Sequence, residues 1–483
     1  MTHLWTETDS AEATRGRATG PFHASGVSID TRNLKPGDLF VALRGNRNDG
    51  HDHLIAARDA GAAAAMVDTI PKDAPSDLPC LVVDDTLAAL NDLAKAARSR
   101  LAGKVIGVTG SVGKTGAKDG LAHVLAPFGS VHKNIGNLNN QFGCPLTLAR
   151  MPADTDFAII EMGMNHAGEI SPLSKLARPN VVLITNVDAV HLEFFDSVEG
   201  IADAKAEIFD GVAGDGVAVL NRDNPYYRRL ADKATAAGIG HISTFGEDAE
   251  ATFRLKSYTS DGSTSEISAN CAGKSVSYRL GAAGRHLALN SLGILAVISA
   301  LGIDVEQAAK QFETLTANPG RGGRYTIKTR GGSVVLIDES YNASPASTAA
   351  ALQVLGDIAI EKGGRRIAVL GDMRELGENA AEFHTDLAKT VNAAKIDLVF
   401  TAGPLMMGLF EALPKARRGG HAATSGEILP LVTASVRAGD VVTVKGSLGS
   451  RMKPVVDALR ALDRSGLDDD DEQASPSVNG GCA

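Results

Sequence analysis

The segment VIGVTGSVGKTGAKDGL, residues 105–121, constrains the fold more than any other part of the chain. A short apolar run leads into a glycine-rich turn and then into residues that suit a helix, which is the order of a phosphate-binding loop. In such a turn the backbone N–H groups converge on an anion, Lys114 adds positive charge, and the hydroxyl of Thr115 suits Mg²⁺. The predicted nucleotide contacts in this loop are Gly110, Ser111, Val112, Gly113, Lys114 and Thr115.

The loop is a shortened form of the usual motif. The common pattern has a glycine five residues before the glycine of the Gly-Lys pair, and Val108 stands there, so the match begins at Gly110. A glycine-rich turn that binds no nucleotide is the alternative interpretation, but the order strand, loop, Lys-Thr and helix favours a nucleotide. The loop alone is compatible with a kinase, a GTPase, a transport ATPase or a ligase.

Alternating apolar and helical segments run through most of the chain and predict an α/β protein with parallel sheets covered by helices. A chain of 483 residues exceeds what one hydrophobic core organises, and TANPGRGGRY indicates a hinge. We expect three domains: a small N-terminal α/β domain, a central P-loop ATPase domain with a parallel sheet, and a C-terminal Rossmann-like domain. Their predicted ranges are 1–102, 103–318 and 319–465, followed by a disordered acidic tail over 466–483.

Charge and composition narrow the class of partner. The net charge of −9 argues against a broad nucleic-acid-binding surface, and the four cysteines form neither a CxxC pair nor a disulfide framework. The segment LALNSLGILAVISALGI contains polar residues and is short for a membrane span, so it predicts a buried helix. The N-terminus lacks the features of a signal peptide. We therefore expect a cytoplasmic protein that acts on small molecules, with no nucleic acid and no membrane span.

Glu161 is a candidate metal ligand. It follows directly on the apolar run FAII, and a carboxylate at the end of a buried strand must either be paired or hold a cation. The position favours a metal near the phosphate loop.

Several separate segments resemble one family, the Mur ligases of peptidoglycan synthesis. The similarity extends from about residue 25 to 460 and rests on SIDTRNLKPGDLFVALRG, TGSVGKT, NIGNLNNQFGCPLTL, EMGMNHAGEI, TNVDAVHLEFF, IADAKAEIF, DESYNASPASTAAAL, VLGDMRELG and VKGSLGSRM. The resemblance implies one domain for the UDP end of a substrate, one for ATP, and a mobile Rossmann-like one for the incoming amino compound.

The resemblance also implies a metal centre with two Mg²⁺ ions. Thr115 and Glu161 match the first position, and His191 and Lys205 match the second. In the family this lysine can be carbamylated by CO₂, which turns an ammonium into an oxygen ligand. For Lys205 an ordinary surface ion pair is the alternative, and for His191 a structural histidine. The implied catalytic set is Lys114, Glu161, His191, Lys205 and Arg321.

Four more residues match the family's nucleotide contacts. Asn290 corresponds to an asparagine at the adenine, and Arg321 would reach the γ-phosphate across the hinge. Asp338 and Tyr341 would meet the ribose and adenine. A helix-packing amide and a solvated linker charge are the alternatives for Asn290 and Arg321. If the resemblance holds, domain closure completes the ATP site.

Three groups match substrate contacts. The uridine and pyrophosphate group consists of Ser28, Asp30, Thr31, Arg32, Asn48, Asp49, Gly50 and His51. The sugar and peptide group consists of Asn137, Asn139 and Asn140, and the group for the carboxylate of the dipeptide consists of Lys445, Ser447 and Arg451. Without the resemblance, the Asn and Asp clusters would be ordinary turn residues.

The implied reaction is ATP-dependent ligation of D-alanyl-D-alanine to UDP-N-acetylmuramoyl-tripeptide by a monomer. The family member that adds the third amino acid carries DNPR in its last domain, and this motif is absent there, which favours the member that adds the dipeptide. The alternatives are another Mur ligase, a folylpolyglutamate synthetase, or, from a different class, a P-loop NTPase that regulates or drives a partner.

Overall fold

The computed structural model describes residues 3–45, 48–190, 192–329 and 331–463, which contain three main sheets. The N-terminal sheet has five strands in the order β2-β7-β6-β5-β4, parallel from β4 to β7, with β2 antiparallel at the edge. A separate ribbon pairs β1 with β3. The elements are β1 (Trp5–Thr6), α1 (Glu7–Thr14), β2 (Arg17–Ala18), β3 (His23–Ala24), β4 (Gly26–Ser28), β5 (Asp38–Val41), α2 (Leu54–Asp59), β6 (Ala64–Val67), β7 (Cys80–Val82) and α3 (Thr86–Arg100).

The central sheet has nine strands in the order β16-β15-β14-β13-β12-β11-β8-β10-β9. It is parallel from β9 to β14 and continues as an antiparallel meander through β16. The strands are β8 (Lys104–Thr109), β9 (Val131–Lys133), β10 (Phe157–Glu161), β11 (Val181–Ile184), β12 (Val217–Asn221), β13 (His241–Gly246), β14 (Phe253–Ser260), β15 (Ser265–Cys271) and β16 (Lys274–Leu280). The helices are α4 (Lys114–Leu125), α5 (Gly143–Ala149), α6 (Ile170–Ala177), α7 (Val198–Ala206), α8 (Tyr227–Ala236), α9 (Arg285–Ala300) and α10 (Val305–Ala309).

The C-terminal sheet has six strands in the order β17-β18-β22-β19-β20-β21, all parallel except β17. Its elements are β17 (Gly323–Thr329), β18 (Gly332–Glu339), α11 (Pro345–Asp357), β19 (Arg366–Gly371), α12 (Ala380–Ala393), β20 (Leu398–Ala402), α13 (Met406–Ala412), β21 (Arg418–Ala422), α14 (Ser425–Ser435), β22 (Val441–Lys445) and α15 (Lys453–Arg460). Short 3₁₀ helices span Gly50–His53, Leu192–Phe194, Glu207–Gly211, Lys310–Thr314, Gly377–Asn379, Lys415–Arg417 and Leu448–Ser450.

The predicted three-domain α/β class is confirmed, and burial explains why its strands were visible in the sequence. In β8, Ile106 and Val108 pack into the core on one face of the central sheet and Val105 into the core on the other. A parallel strand that is covered on both faces is apolar without alternation. The helix predicted in LALNSLGILAVISALGI is α9, and no helix among the described residues is long and apolar enough to cross a bilayer. The predicted tail, residues 466–483, lies outside the described residues.

The sequence predicted parallel sheets and did not predict the antiparallel meander β14 to β16. Its residues alternate between buried and exposed, as in β16, where Val276, Tyr278 and Leu280 are buried and the residues between them are exposed. Small and polar side chains on the outer face keep these segments from forming an apolar run. The period of two was the available signal.

Trp5 joins the N-terminal segment to the central region. Its indole N–H donates to the carbonyl of Ala149 at 2.8 Å, and the guanidinium of Arg100 lies 4.3 Å from the centre of its ring. Trp5→Ala is expected to lower the first unfolding transition in calorimetry by several degrees, since burying an aromatic side chain of this size stabilises by about 3 kcal/mol. Trp5→Phe should lose less, and an unchanged transition for Trp5→Ala would contradict the anchoring role.

Candidate active site

The glycine-rich loop joins β8 to α4 with two glycines at positive φ. Gly110 has φ 148 and Gly113 has φ 90. A Cβ on Gly110 would lie 2.0 Å from Oγ1 of Thr185, so side chains are excluded there by contact as well as by conformation. Nζ of Lys114 donates to the carbonyls of Gly110 and Ser111 at 2.6 and 3.3 Å. The loop therefore has the bare backbone and the adjacent cation that a phosphate requires.

Glu161 ends β10, next to β8, and its carboxylate lies beside the first turn of α4. Oε1 accepts hydrogen bonds from Oγ1 of Thr115 at 3.2 Å and from Nδ2 of Asn139 at 2.8 Å. Oε2 is buried and has no hydrogen-bond partner among the described residues, although Nζ of Lys118 approaches it to 3.4 Å. That approach fits an ion pair without the geometry of a hydrogen bond.

The chemistry of these donors fits Mg²⁺. The described residues contain no group of three His, Cys, Asp or Glu side chains arranged to hold a metal ion, so a cage made by protein alone is not formed there. Mg²⁺ takes one or two protein oxygens and completes its shell with water and phosphate. One hydroxyl and one carboxylate with a spare buried oxygen, next to a phosphate loop, match that requirement.

Lys118 was missed in the sequence. It is 1% exposed, and its amine donates to the carbonyl of Gly136 at 3.2 Å in addition to approaching Glu161. Next to it, Asp119 accepts from Nζ of Lys133 at 2.6 Å and from Nδ2 of Asn318 at 2.5 Å. The helix after the phosphate loop is thereby connected to the carboxylate of Glu161 and to the hinge. The available signal was its spacing of four from Lys114, which places both on one helical face.

Lys205 lies near the end of α7 and is 2% exposed. Burial, with a smaller effect from the positive Lys114, holds its pKa well below the ordinary value for lysine. Among the described residues no carboxylate lies within ion-pair distance of its amine, so the alternative of a surface ion pair does not apply there. His191, its predicted partner, lies outside the described residues.

The hinge brings Arg321 close to the phosphate loop. Its guanidinium lies 4.1 Å from the ring centre of Tyr341. Burial lowers the pKa of Lys114, Glu161 opposes that shift, and the positive charge of Arg321 lowers the pKa further. Asp338 is fully buried and holds the hinge: Oδ2 accepts from the N–H of Gly320 at 3.0 Å, and Oδ1 accepts from the hydroxyl of Ser340 at 2.5 Å. Those bonds position the segment that carries Arg321.

A cavity of about 990 Å³, here called the interdomain cleft, contains most of the predicted nucleotide residues. The predicted site residues that line this cleft are Ser111, Val112, Gly113, Lys114, Thr115, Asn137, Asn139, Glu161, Asn290, Arg321, Tyr341, Lys445 and Ser447. Asn290 lies against the phosphate loop, since a Cβ on Gly113 would be 2.9 Å from its Nδ2. The lining does not include Gly110, Asn140, Lys205, Asp338 or Arg451. The side chain of Asn140 instead accepts from the N–H groups of Phe142 and Gly143.

The predicted uridine and pyrophosphate residues form two loops at the carboxyl edge of the N-terminal sheet, away from the lining of the cleft. Ser28 ends β4, and Asp30, Thr31 and Arg32 follow it, whereas Asn48, Asp49, Gly50 and His51 lie beyond β5. The first loop contains an Asp30–Arg32 ion pair of 2.7 Å.

The second loop is held by an internal network. Nδ1 of the buried His51 lies 2.6 Å from Asp49, and the N–H of Asp68 donates to its Nε2 at 3.2 Å. This acceptor role puts the ring proton on Nδ1. Arg44, which the sequence reasoning missed, pairs with both carboxylates. These contacts make Asp49 and His51 supports of the loop.

Lys445 and Ser447 lie deep in the C-terminal side of the cleft. Nζ of Lys445 pairs with Glu339 at 3.1 Å, and the hydroxyl of Ser447 donates to the carbonyl of Ala343 at 3.3 Å. Arg451 is exposed, with φ 52, and lies outside the lining.

His286, also missed in the sequence, lines the cleft, and burial lowers its pKa against the opposing effect of Glu339.

Family models match three consecutive parts of the chain. They are described as "Mur ligase family, catalytic domain" over 23–98, "Mur ligase middle domain" over 108–298 and "Mur ligase, glutamate ligase domain" over 323–448. The UDP-N-acetylmuramoyl-tripeptide–D-alanyl-D-alanine ligase of Bacillus subtilis is 36% identical over 458 residues, covering 93% of this chain and 97% of the relative. The Escherichia coli enzyme of the same name is 36% identical, covering 90% and 93%.

Solved structures match over nearly the same extent. MurF of Acinetobacter baumannii superposes with a TM-score of 0.83 at 29% identity, covering 95% of this chain and 99% of the other. MurF of Thermotoga maritima in complex with ADP gives a TM-score of 0.73 at 27% identity, covering 90% and 97%.

Proposed function

The chain belongs to the Mur ligase family, and on that premise we propose that it joins D-alanyl-D-alanine to UDP-N-acetylmuramoyl-tripeptide at the expense of ATP. One observation supports this proposal most strongly. The interdomain cleft brings the phosphate loop, Glu161, the hinge residue Arg321 and Ser447 of the C-terminal domain into one cavity. A ligase needs such a cavity, because a nucleotide, an acid and an amine must meet in it.

The chemistry explains why ATP is consumed. A carboxylate has no acceptable leaving group, so its oxygen first attacks the γ-phosphorus of ATP, and ADP leaves. The nitrogen of the dipeptide then attacks the acyl carbon of the resulting acyl phosphate, and the tetrahedral intermediate collapses with loss of inorganic phosphate and a proton. No side chain forms a covalent bond with a reactant in these two steps, and the protein aligns the reactants and stabilises charge.

Charge repulsion is the main obstacle to the first step. A carboxylate and a triphosphate at close range repel by about 4 kcal/mol per pair of unit charges at an effective dielectric of 20. Lys114 and Arg321 are positioned from opposite sides of the hinge to offset this repulsion, the first from the loop and the second from above Tyr341. Asn290, beside the loop, is suited to the base.

We propose that Thr115 and Glu161 hold one Mg²⁺ and that Lys205 and His191 contribute to a second. Mg²⁺ supplies positive charge at the transferring phosphoryl group when it is bound. Burial lowers the pKa of Lys205 and so favours its neutral amine, which is the form that adds to CO₂ to give a carbamate and a proton. The carbamate of Lys205 would then offer the oxygen atoms that an amine lacks.

The direct test is ADP release with purified enzyme, ATP, Mg²⁺ and UDP-N-acetylmuramoyl-tripeptide, with and without D-alanyl-D-alanine. We expect release to depend on both the acceptor and the dipeptide. Equal release with free amino acids but none with the dipeptide would assign the chain to another ligase of the family. Full ATP turnover without any acceptor would instead favour a regulatory NTPase. The cytoplasmic location and the monomeric state expected from the sequence stay predictions.

A further inference from the structure

Arg374 lies in the loop after β19 and faces the same edge of the C-terminal sheet as Ser447, which follows the neighbouring strand β22. Its backbone N–H donates to the hydroxyl of Ser447 at 3.0 Å. The next residue, Glu375, has φ 63, and its carbonyl accepts from the N–H of Glu193 in the central region at 3.4 Å. The loop is thereby held where the central and C-terminal sheets face each other.

The guanidinium of Arg374 lines the interdomain cleft. Among the described residues it has no ion pair and no side-chain hydrogen bond. The other cations of this part of the cleft are engaged, since Lys445 pairs with Glu339 and Arg321 stacks on Tyr341. A planar guanidinium that is free at the wall of a cleft is suited to a carboxylate, which it binds through two parallel hydrogen bonds.

An apolar side chain and a glycine complete this part of the wall. Leu448 is 63% exposed, which is unusual for leucine, and it lines the cleft. Gly449 leaves room for the guanidinium, because a Cβ at position 449 would lie 2.9 Å from Cζ and Nε of Arg374. The arrangement places a cation next to a small apolar contact. It complements a carboxylate whose neighbouring carbon bears a methyl group.

We propose that Arg374 binds the free carboxylate of D-alanyl-D-alanine and that Leu448 contacts the terminal methyl group; this assignment rests on the proposed function. The acid that becomes activated must reach the nucleotide at the phosphate loop, so its carboxylate is committed to that end of the cleft. The dipeptide must bring its amine to the same carbon, while its own carboxylate lies up to about 7 Å away along two extended residues. A cation on the C-terminal wall meets that requirement.

The test compares D-alanyl-D-alanine with D-alanyl-D-alaninamide, which has the same amine but no carboxylate. The unchanged enzyme should prefer the acid about ten- to a hundredfold in kcat/KM, as expected for a charge-assisted contact. In Arg374→Ala this preference should fall at least tenfold, through the KM of the dipeptide, with the KM values of ATP and the muramoyl substrate unchanged. Arg374→Lys should retain part of it.

Two further variants test whether the change in preference is specific to Arg374. Arg437→Ala is the matched control, since this exposed arginine precedes β22 at the opposite edge of the same sheet and should leave the preference intact. Gly449→Ala should reduce the preference by displacing the guanidinium. An unchanged preference in Arg374→Ala, its loss in Arg451→Ala instead, or no preference in the unchanged enzyme would overturn the assignment. Absence of dipeptide-dependent ADP release in the unchanged enzyme would refute the proposed function itself.

Discussion

Lys205→Ala is expected to lower kcat for ligation by about a thousandfold, because it removes the proposed carbamate, whose oxygen would contribute several kcal/mol of charge stabilisation as a metal ligand. The expectation rests on the burial of Lys205 and on its lowered pKa, which favour the neutral amine that can take up CO₂. Depleting CO₂ and bicarbonate from the unchanged enzyme should also reduce the rate, and adding bicarbonate should restore it. The measurement is ADP release under controlled CO₂.

Small acids provide the discriminating control. Formate or acetate should restore part of the activity of Lys205→Ala, because the space left by the side chain admits a carboxylate that supplies similar oxygens. Lys175→Ala is the matched lysine variant; Lys175 is exposed, pairs with Asp210 at 3.7 Å and should be dispensable. If CO₂ depletion has no effect and no acid rescues the variant, the carbamate is excluded and Lys205 acts as an unmodified amine.

Arg321→Ala is expected to lower kcat by about a thousandfold with a smaller change in the KM of ATP, since a guanidinium at a transferring phosphoryl group acts mainly in the transition state. Arg321→Lys should recover a fraction of the rate because it keeps the charge and loses the planar fork. Tyr341→Leu, which removes the ring beneath the guanidinium, should cost only a few-fold, about 1 kcal/mol.

Calorimetry of each variant separates a kinetic effect from unfolding. The exposed Arg437→Ala again serves as the arginine control. A native rate for Arg321→Ala would show that the hinge does not deliver charge to the nucleotide, and the proposed assembly of the site across the hinge would be wrong.

The sequence was most informative where local geometry and chemistry coincide. Strand β8, the turn at Gly110 and Gly113, and the start of α4 follow from a buried run, two positions that require glycine, and a Lys-Thr pair at a helix start. The position of Glu161 beside the phosphate loop could also be expected, because a charge at the end of a fully buried strand has few roles, and its role as a metal ligand stays a proposal. Neither inference depends on long-range contacts.

Other residues could be found only in three dimensions. Lys118 has the appearance of an ordinary helical lysine until its amine is seen 3.4 Å from the spare oxygen of Glu161. Asp338 could be matched to a family motif, but that match did not indicate that its carboxylate holds Gly320 and Ser340. Arg374 belongs to a loop whose sequence gives no sign that its charge has no partner in the part of the chain that the structure describes.

By itself, the sequence determined the class of fold and the existence of a nucleotide loop, because buried strands, glycine turns and helix starts are set by residues close together in the chain. Only the tertiary structure decided which charges are compensated and which face the cleft. The physical reason is that charge compensation depends on atoms a few ångströms apart in space. In this protein those atoms come from segments as distant as Glu339 and Lys445, or Lys118 and Glu161.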